Sequence, residues 1–298
     1  MRDSVLKKFI FPVSFTLVVI FMAALSSCVI PPFSTTINAE EQELAATMKE
    51  HGNDLPIPSP LTKYKPAQPV VSESVVYTTT EGQEVQGWLA RPEGTTDALP
   101  GLIVIHEWWG LNDNVRRAAE RLAGEGYVAL AVDLHKGKTA DTPKDAMMMG
   151  RVLSNNQEPA LANLTDAHAF LKAKANATNI GIIGWCQGGR WSMAATLNMP
   201  EKIAATVVYY GRVPEDRAEV AVIQSPVLGV FAGEDFIVPP KIAYKFAVAM
   251  EDEKKDLEFY MYRDAAHAFS NPSGIDYNEA AAADAWKHTT AFLARNLK

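Results

Sequence analysis

The chain of 298 residues contains only two cysteines, Cys28 and Cys186. At most one disulfide could form, so no disulfide framework is expected, and the two thiols are read as having separate jobs. Basic blocks are missing as well. Lys and Arg number 28 against 35 Asp and Glu, a net charge of -7, and this excludes the electrostatic footprint of a nucleic-acid binder. No Cys/His cluster with metal-ligand spacing and no Gly-rich phosphate loop occurs, so neither a metal nor an organic cofactor is expected. Internal repeats are absent too. What remains is ordinary globular composition, 48% hydrophobic and 21% charged, enough for one large α/β domain.

Long apolar runs are nearly absent, with one exception at the N-terminus. Met1 to Lys8 is basic, Phe9 to Leu25 is apolar and broken once by Pro12, and Leu25-Ser26-Ser27-Cys28 follows. A basic start, an apolar middle and small residues before a cut point mark a secretory signal. "LSSC" resembles the bacterial lipobox, in which the cysteine is lipidated and becomes the new N-terminus. The expectation is a signal peptide over 1–27 and a lipid-anchored Cys28, with the body of the protein outside the cytoplasm and tied to a membrane. Plain secretion and an uncleaved anchor are the alternatives, the latter at the short limit of about 17 residues for a span.

Residues 28–70 read as a Pro-rich tether ("LPIPSPLTKYKPAQP"), interrupted by one short helix at Ala39 to Glu50. A globular domain follows over 71–298. "SVVYTTTEGQEVQGWLARP" predicts two antiparallel strands around a turn at Glu81-Gly82. Beyond it, apolar strands ("GLIVIH", "YVALAVDL", "NIGIIG", "AATVVYYG", "PVLGVFAG", "LEFYMY") alternate with helical stretches. That order predicts an α/β fold, a mostly parallel sheet with helices on both faces.

In such sheets the chemistry collects past the carboxyl ends of the strands. Three reactive residues stand there in the order Cys186, Asp235, His267, the order of nucleophile, acid and histidine in α/β-hydrolases. "GWCQGG" is a G-x-C-x-G nucleophile elbow. Its glycines let strand and helix pass closely, and the helix N-terminus favours a thiolate. The bland reading of Cys186 is a buried structural cysteine. Asp235 follows a strand in "FAGEDFIVP" and would orient the histidine; Glu234 is its neighbouring rival. His267 lies in "YRDAAHAFSNP" as the proton carrier. The other histidines are set aside: His51 in the tether, His168 and His288 in helices, His135 ahead of the acid in sequence, and His106 within the loop "VIHEWWGLND". That loop supplies one oxyanion amide, from Trp108, with the other from Gln187. Glu107 is a charged residue at the lip of an apolar site.

Together "HEWWGLND", "RLAGEGYVALAVDL", "GWCQGG", "YYGRVPED", "AGEDFIVP" and "AAHAF" resemble the dienelactone hydrolase family over residues from about 75 to 298. The resemblance implies the α/β-hydrolase fold, a triad of Cys186, His267 and Asp235, and a glutamate, Glu107, that contacts the resting thiol and helps deprotonate it. The family binds its substrate's carboxylate with arginines, one of them four residues after the histidine, where this chain has Asn271. Arg151 is a poor match for the other. Trp108, Trp109, Trp185 and Tyr210 are candidates for an apolar pocket or for plain packing. "AMMMG" (146–150) reads as a helix packed over the site.

The expected activity is hydrolysis of a small-molecule carboxylic ester, lactone or thioester through a thioacyl intermediate. No obligate protein partner is implied. The competing reading is an envelope ligand-binding protein that keeps the elbow only as scaffold.

Overall fold

The computed structural model describes Ala45, Met48, Lys49, residues 51–54 and residues 65–298. The expected signal segment and Cys28 lie outside them, as does most of the expected tether.

An eight-stranded sheet runs in the order β1-β2-β4-β3-β5-β6-β7-β8. Strands β1 (Val70–Thr80) and β2 (Gln83–Pro92) form the expected hairpin. Glu81 and Gly82 both have positive φ, which suits a two-residue turn matched to strand twist. Strand β2 pairs antiparallel with β4 (Val128–Val132), and from β4 onward every pairing is parallel. The parallel set includes β3 (Gly101–Ile105), β5 (Ile180–Trp185), β6 (Ala205–Tyr209), β7 (Val227–Ala232) and β8 (Leu257–Tyr262).

Strand β3 shows why these runs carry no polar alternation. Leu102 and Val104 face a core completed by α1 (Asp113–Gly124) and α7 (Glu279–Leu297). Ile103 and Ile105 face the opposite core, which holds Leu164 and Leu171 of α3 (Gln157–Ala173) and Trp191 of α4 (Gln187–Asn198). Both faces are buried, so both parities must be apolar. A further cluster joins Met193 and Leu197 of α4 to Phe246 of α6 (Pro240–Asp252). Helix α2 (Pro143–Asn155) packs Ala146 against Trp108 and Trp109, the placement expected for "AMMMG". The short helix α5 (Arg217–Ala221) has no counterpart in the sequence reading.

Chain order places the site. From β3 the chain moves outward to β4, then returns to the other side of β3 as β5. Such a reversal opens a crevice beyond the strand ends. Ile105 pairs with Gly184, so the loop leaving β3 and the turn leaving β5 emerge side by side.

Candidate active site

Cys186 occupies a sharp turn between β5 and α4, with φ 53° and ψ −117°. Such a conformation costs a non-glycine residue on the order of 1–3 kcal/mol, and its surroundings hold it there. Its N–H donates to Tyr209 O at 3.0 Å, and its carbonyl accepts from Arg190 N at 3.1 Å. A Cβ on Gly184 would sit 2.2 Å from Gly188 O, and one on Gly188 would sit 2.4 Å from Ile105 O. Only glycine permits this crossing of strand, helix and neighbouring strand. The half-buried sulfur is thereby lifted to the head of α4.

His267 and Asp235 meet at this turn. His267 Nδ1 is 2.8 Å from Asp235 Oδ2, and the other carboxylate oxygen accepts from the amides of Ile237 and Val238 at 2.8 and 2.7 Å. The carboxylate only accepts, so Nδ1 carries the proton and Nε2 is left as the working nitrogen. That Nε2 is buried and makes no conventional hydrogen bond. Burial alone would lower the basicity of His267. The charge of Asp235 outweighs it, aided by the nearby sulfur of Cys186 and by the Asp235 hydrogen bond, and holds the imidazole well above its ordinary range. Glu234, the rival acid, is exposed, whereas Asp235 is buried.

The loop after β3 is fastened by His106. Leu134 N donates to its Nε2 at 3.1 Å, so Nδ1 bears the proton and donates to Glu107 O at 2.6 Å. Burial holds this ring neutral by lowering its pKa. Beside it His135, with a pKa lowered to about 3 chiefly by burial, packs at a ring distance of 4.8 Å. Both set-aside histidines are therefore structural props. Among the described residues, the backbone N–H groups of Trp108 and Gln187 donate to no protein acceptor.

Glu107 differs from what the resemblance implies. Its oxygens accept from Asn271 Nδ2 at 2.6 Å and, more weakly, from Tyr210 OH at 3.5 Å; they make no hydrogen bond to Cys186. The short neutral amide of Asn271 turns toward the carboxylate and takes one of its oxygens. Desolvation raises the Glu107 carboxyl to about 7, against the pull of His267 and His51. The residue is thus poised to change charge near neutrality.

A cavity of about 250 Å³ opens beside these groups, between α1 and α7. Its lining includes Glu107, Tyr210, Asn271, Trp185 and Arg121, the last stacked 3.7 Å over the ring of Trp286. The cavity wall does not include Cys186 or His267. Tyr210 links the two regions, its ring 5.1 Å from that of His267. Trp109 does not line this cavity. It is buried against Trp108, Ala140 and Ala146, so packing is its role. Arg151 is exposed on α2.

One residue was missed. His51, assigned to the tether, is helical and buried, with its ring 5.5 Å from His267 and 6.2 Å from Trp108. Its Nδ1 lies 2.7 Å from Asp54 Oδ2. The only signal was a histidine and an aspartate three apart, just past the expected helix.

A sequence profile of the dienelactone hydrolase family matches residues 85–297. The chain belongs to that family. "Protein usf" of Aquifex pyrophilus is 33% identical over 219 residues, covering 71% of this chain and 94% of its own. A Saccharolobus solfataricus protein, provisionally named a carboxymethylenebutenolidase, is 31% identical over 264 residues, covering 75% and 98%. The solved structure of a dienelactone hydrolase-like promiscuous phosphotriesterase from metagenomic libraries superposes with a TM-score of 0.70 at 22% identity, over 77% of this chain and 99% of its own. At that identity the likeness speaks for the α/β-hydrolase fold. Membership makes this chain a dienelactone hydrolase-like hydrolase.

Proposed function

We propose that this member of the family hydrolyses carboxylic esters, lactones or thioesters through a thioacyl intermediate on Cys186. The observation that carries the reading is the His267–Asp235 pair at 2.8 Å, its buried Nε2 unpartnered beside a sulfur held on a strained turn. Cys186 attacks the carbonyl carbon. The developing oxyanion is held by the amides of Trp108 and Gln187, a term worth about 2.7–4 kcal/mol per donor in comparable sites. His267 passes a proton to the leaving group and then takes one from water, and Asp235 fixes its tautomer. Glu107, near half-ionised at neutral pH, can accept the thiol proton when substrate displaces its partners.

The apolar cavity beyond Tyr210 would take the substrate's larger substituent. Asn271 is engaged with Glu107, so a carboxylate clamp of the family type is not part of the proposal. Release of p-nitrophenol from short-chain esters tests the reading, with intact mass to detect the acyl adduct. Cys186→Ala should abolish both; full turnover in that variant would refute the mechanism. We also propose that lipidated Cys28 ties the enzyme to a membrane outside the cytoplasm. Incorporation of labelled palmitate into the full chain, lost in Cys28→Ala, is the expected result.

A further inference from the structure

His51 belongs to none of the machinery described so far, yet it stands against it. Its side chain is buried at 4% exposure, and its ring meets His267 edge-on at 5.5 Å and 62°. It also meets Trp108, whose amide is one candidate oxyanion donor, at 6.2 Å and 71°. Asp54, itself buried, takes Nδ1 at 2.7 Å. The carboxylate accepts only, so in the neutral ring the proton sits on Nδ1 and the lone pair on Nε2. That Nε2 is buried with no partner, like the Nε2 of His267. A buried acceptor left unmatched costs about 1–3 kcal/mol. Once Cys186 is acylated and His267 has given up its proton, the Nε2 atoms of these two adjacent rings are both free acceptors in a crevice where water must enter, and they point to one shared occupant.

We propose that His51, held by Asp54, positions the water that hydrolyses the thioacyl enzyme; this rests on the thioacyl reading above. One hydrogen of that water faces His267 Nε2 and the other faces His51 Nε2. Water oxygen bonds to the thioester carbon while His267 removes the first proton. The second hydrogen stays on oxygen, donated to His51. The carbon–sulfur bond then breaks, sulfur keeps the electron pair as thiolate, and the product leaves as the carboxylic acid. His51 thus serves the second half of the cycle and not the first. The leaving alcohol has already departed when the water arrives, so acylation makes no demand on a second acceptor.

The two half-reactions can be measured apart with p-nitrophenyl acetate. Acylation is the release of p-nitrophenol with enzyme in excess. Deacylation is the decay of the acetyl adduct by intact mass. His51→Phe keeps an aromatic ring against Trp108 and His267 but removes the acceptor. It should leave acylation within about twofold and slow deacylation about 10- to 100-fold, the scale expected for a misplaced reactant. Hydroxylamine, a strong nucleophile that needs no acceptor, should restore turnover in His51→Phe. His51→Gln, with an amide oxygen as acceptor, should recover part of the deacylation rate. Wild-type deacylation in His51→Phe would overturn the role of His51 while leaving the thioacyl enzyme standing. Equal loss of both half-reactions in His51→Phe and His51→Gln would make His51 a packing residue and also overturn it. Absence of any adduct on Cys186 in the unmodified protein would overturn the thioacyl reading and this inference together.

Discussion

Two His–Asp pairs share this site and are built differently. Asp235 is saturated: two loop amides take one oxygen and His267 takes the other. Asp54 is half-used, with Oδ2 on His51 and Oδ1 buried and unpartnered. The first pair stands on loops directly after parallel strands of the sheet. The second is carried by residues 51–54, which precede the sheet altogether. Fixed dipoles hold the first pair in one tautomer and one orientation; the second rests on one side-chain hydrogen bond, one turn bond from Asp54 N to His51 O at 3.0 Å, and ring packing. The proposed role of His267, a proton carrier in both half-reactions, requires the first kind of support. A group asked only to accept a bond from water can work with the second.

The largest test of this contrast is Asp235→Asn. An amide there can offer N–H to His267 and select the wrong tautomer, so kcat/KM should fall at least about 10³-fold, by analogy with triad aspartates. Ester turnover together with a thermal melt would show whether the loss is chemical.

Gly188→Ala tests the frame that holds the sulfur before both pairs. Its Cβ would meet Ile105 O at 2.4 Å and His106 O at 2.6 Å. Backbone atoms there cannot step aside, so destabilisation of about 3 kcal/mol is expected in urea unfolding.

Glu107→Gln separates charge from shape. The folded carboxyl is raised to about 7, above its unfolded value, so the folded state binds more protons and loses stability as pH climbs from about 4.5 to 7. The glutamine variant should therefore exceed the wild type by on the order of 3 kcal/mol above pH 7, with the gap closing near pH 4. Its kcat/KM should also lose the limb that rises through about pH 7. Melts and rates across pH 4–9 decide both points.

Asp54→Asn should be the mildest of the four, a loss of about 3- to 10-fold confined to deacylation. If it matched Asp235→Asn, the two pairs would be equals and the contrast would fail.

Much of this was legible in the sequence because the fold puts chemistry where elements end. Cys186, Asp235 and His267 each follow a strand, and runs such as "GLIVI" declare strands covered on both faces. Other features depend on directions that periodicity does not encode. Glu234 and Asp235 are adjacent, and only burial tells them apart. Trp109 and Trp185 look alike as aromatic residues beside a site, yet one packs under α2 and the other borders the cavity. Asn271 was readable as a departure from the family pattern, but its bond to Glu107 arises from a fold that spans 164 positions of sequence. His51 was hidden most completely. Nothing in a Pro-rich neighbourhood announces that four residues will dock over a histidine more than two hundred positions away.

The cavity beside Glu107 has walls of a different kind from the elbow. Val115, Ala118 and Arg121 come from α1, and Ala282, Ala283 and Trp286 from α7. None of them sits at a backbone crossing. On the proposed function, exchanging them would reshape what the enzyme admits while leaving the sulfur and its imidazole in place, so selectivity could drift on two helices while reactivity stays with the strand ends.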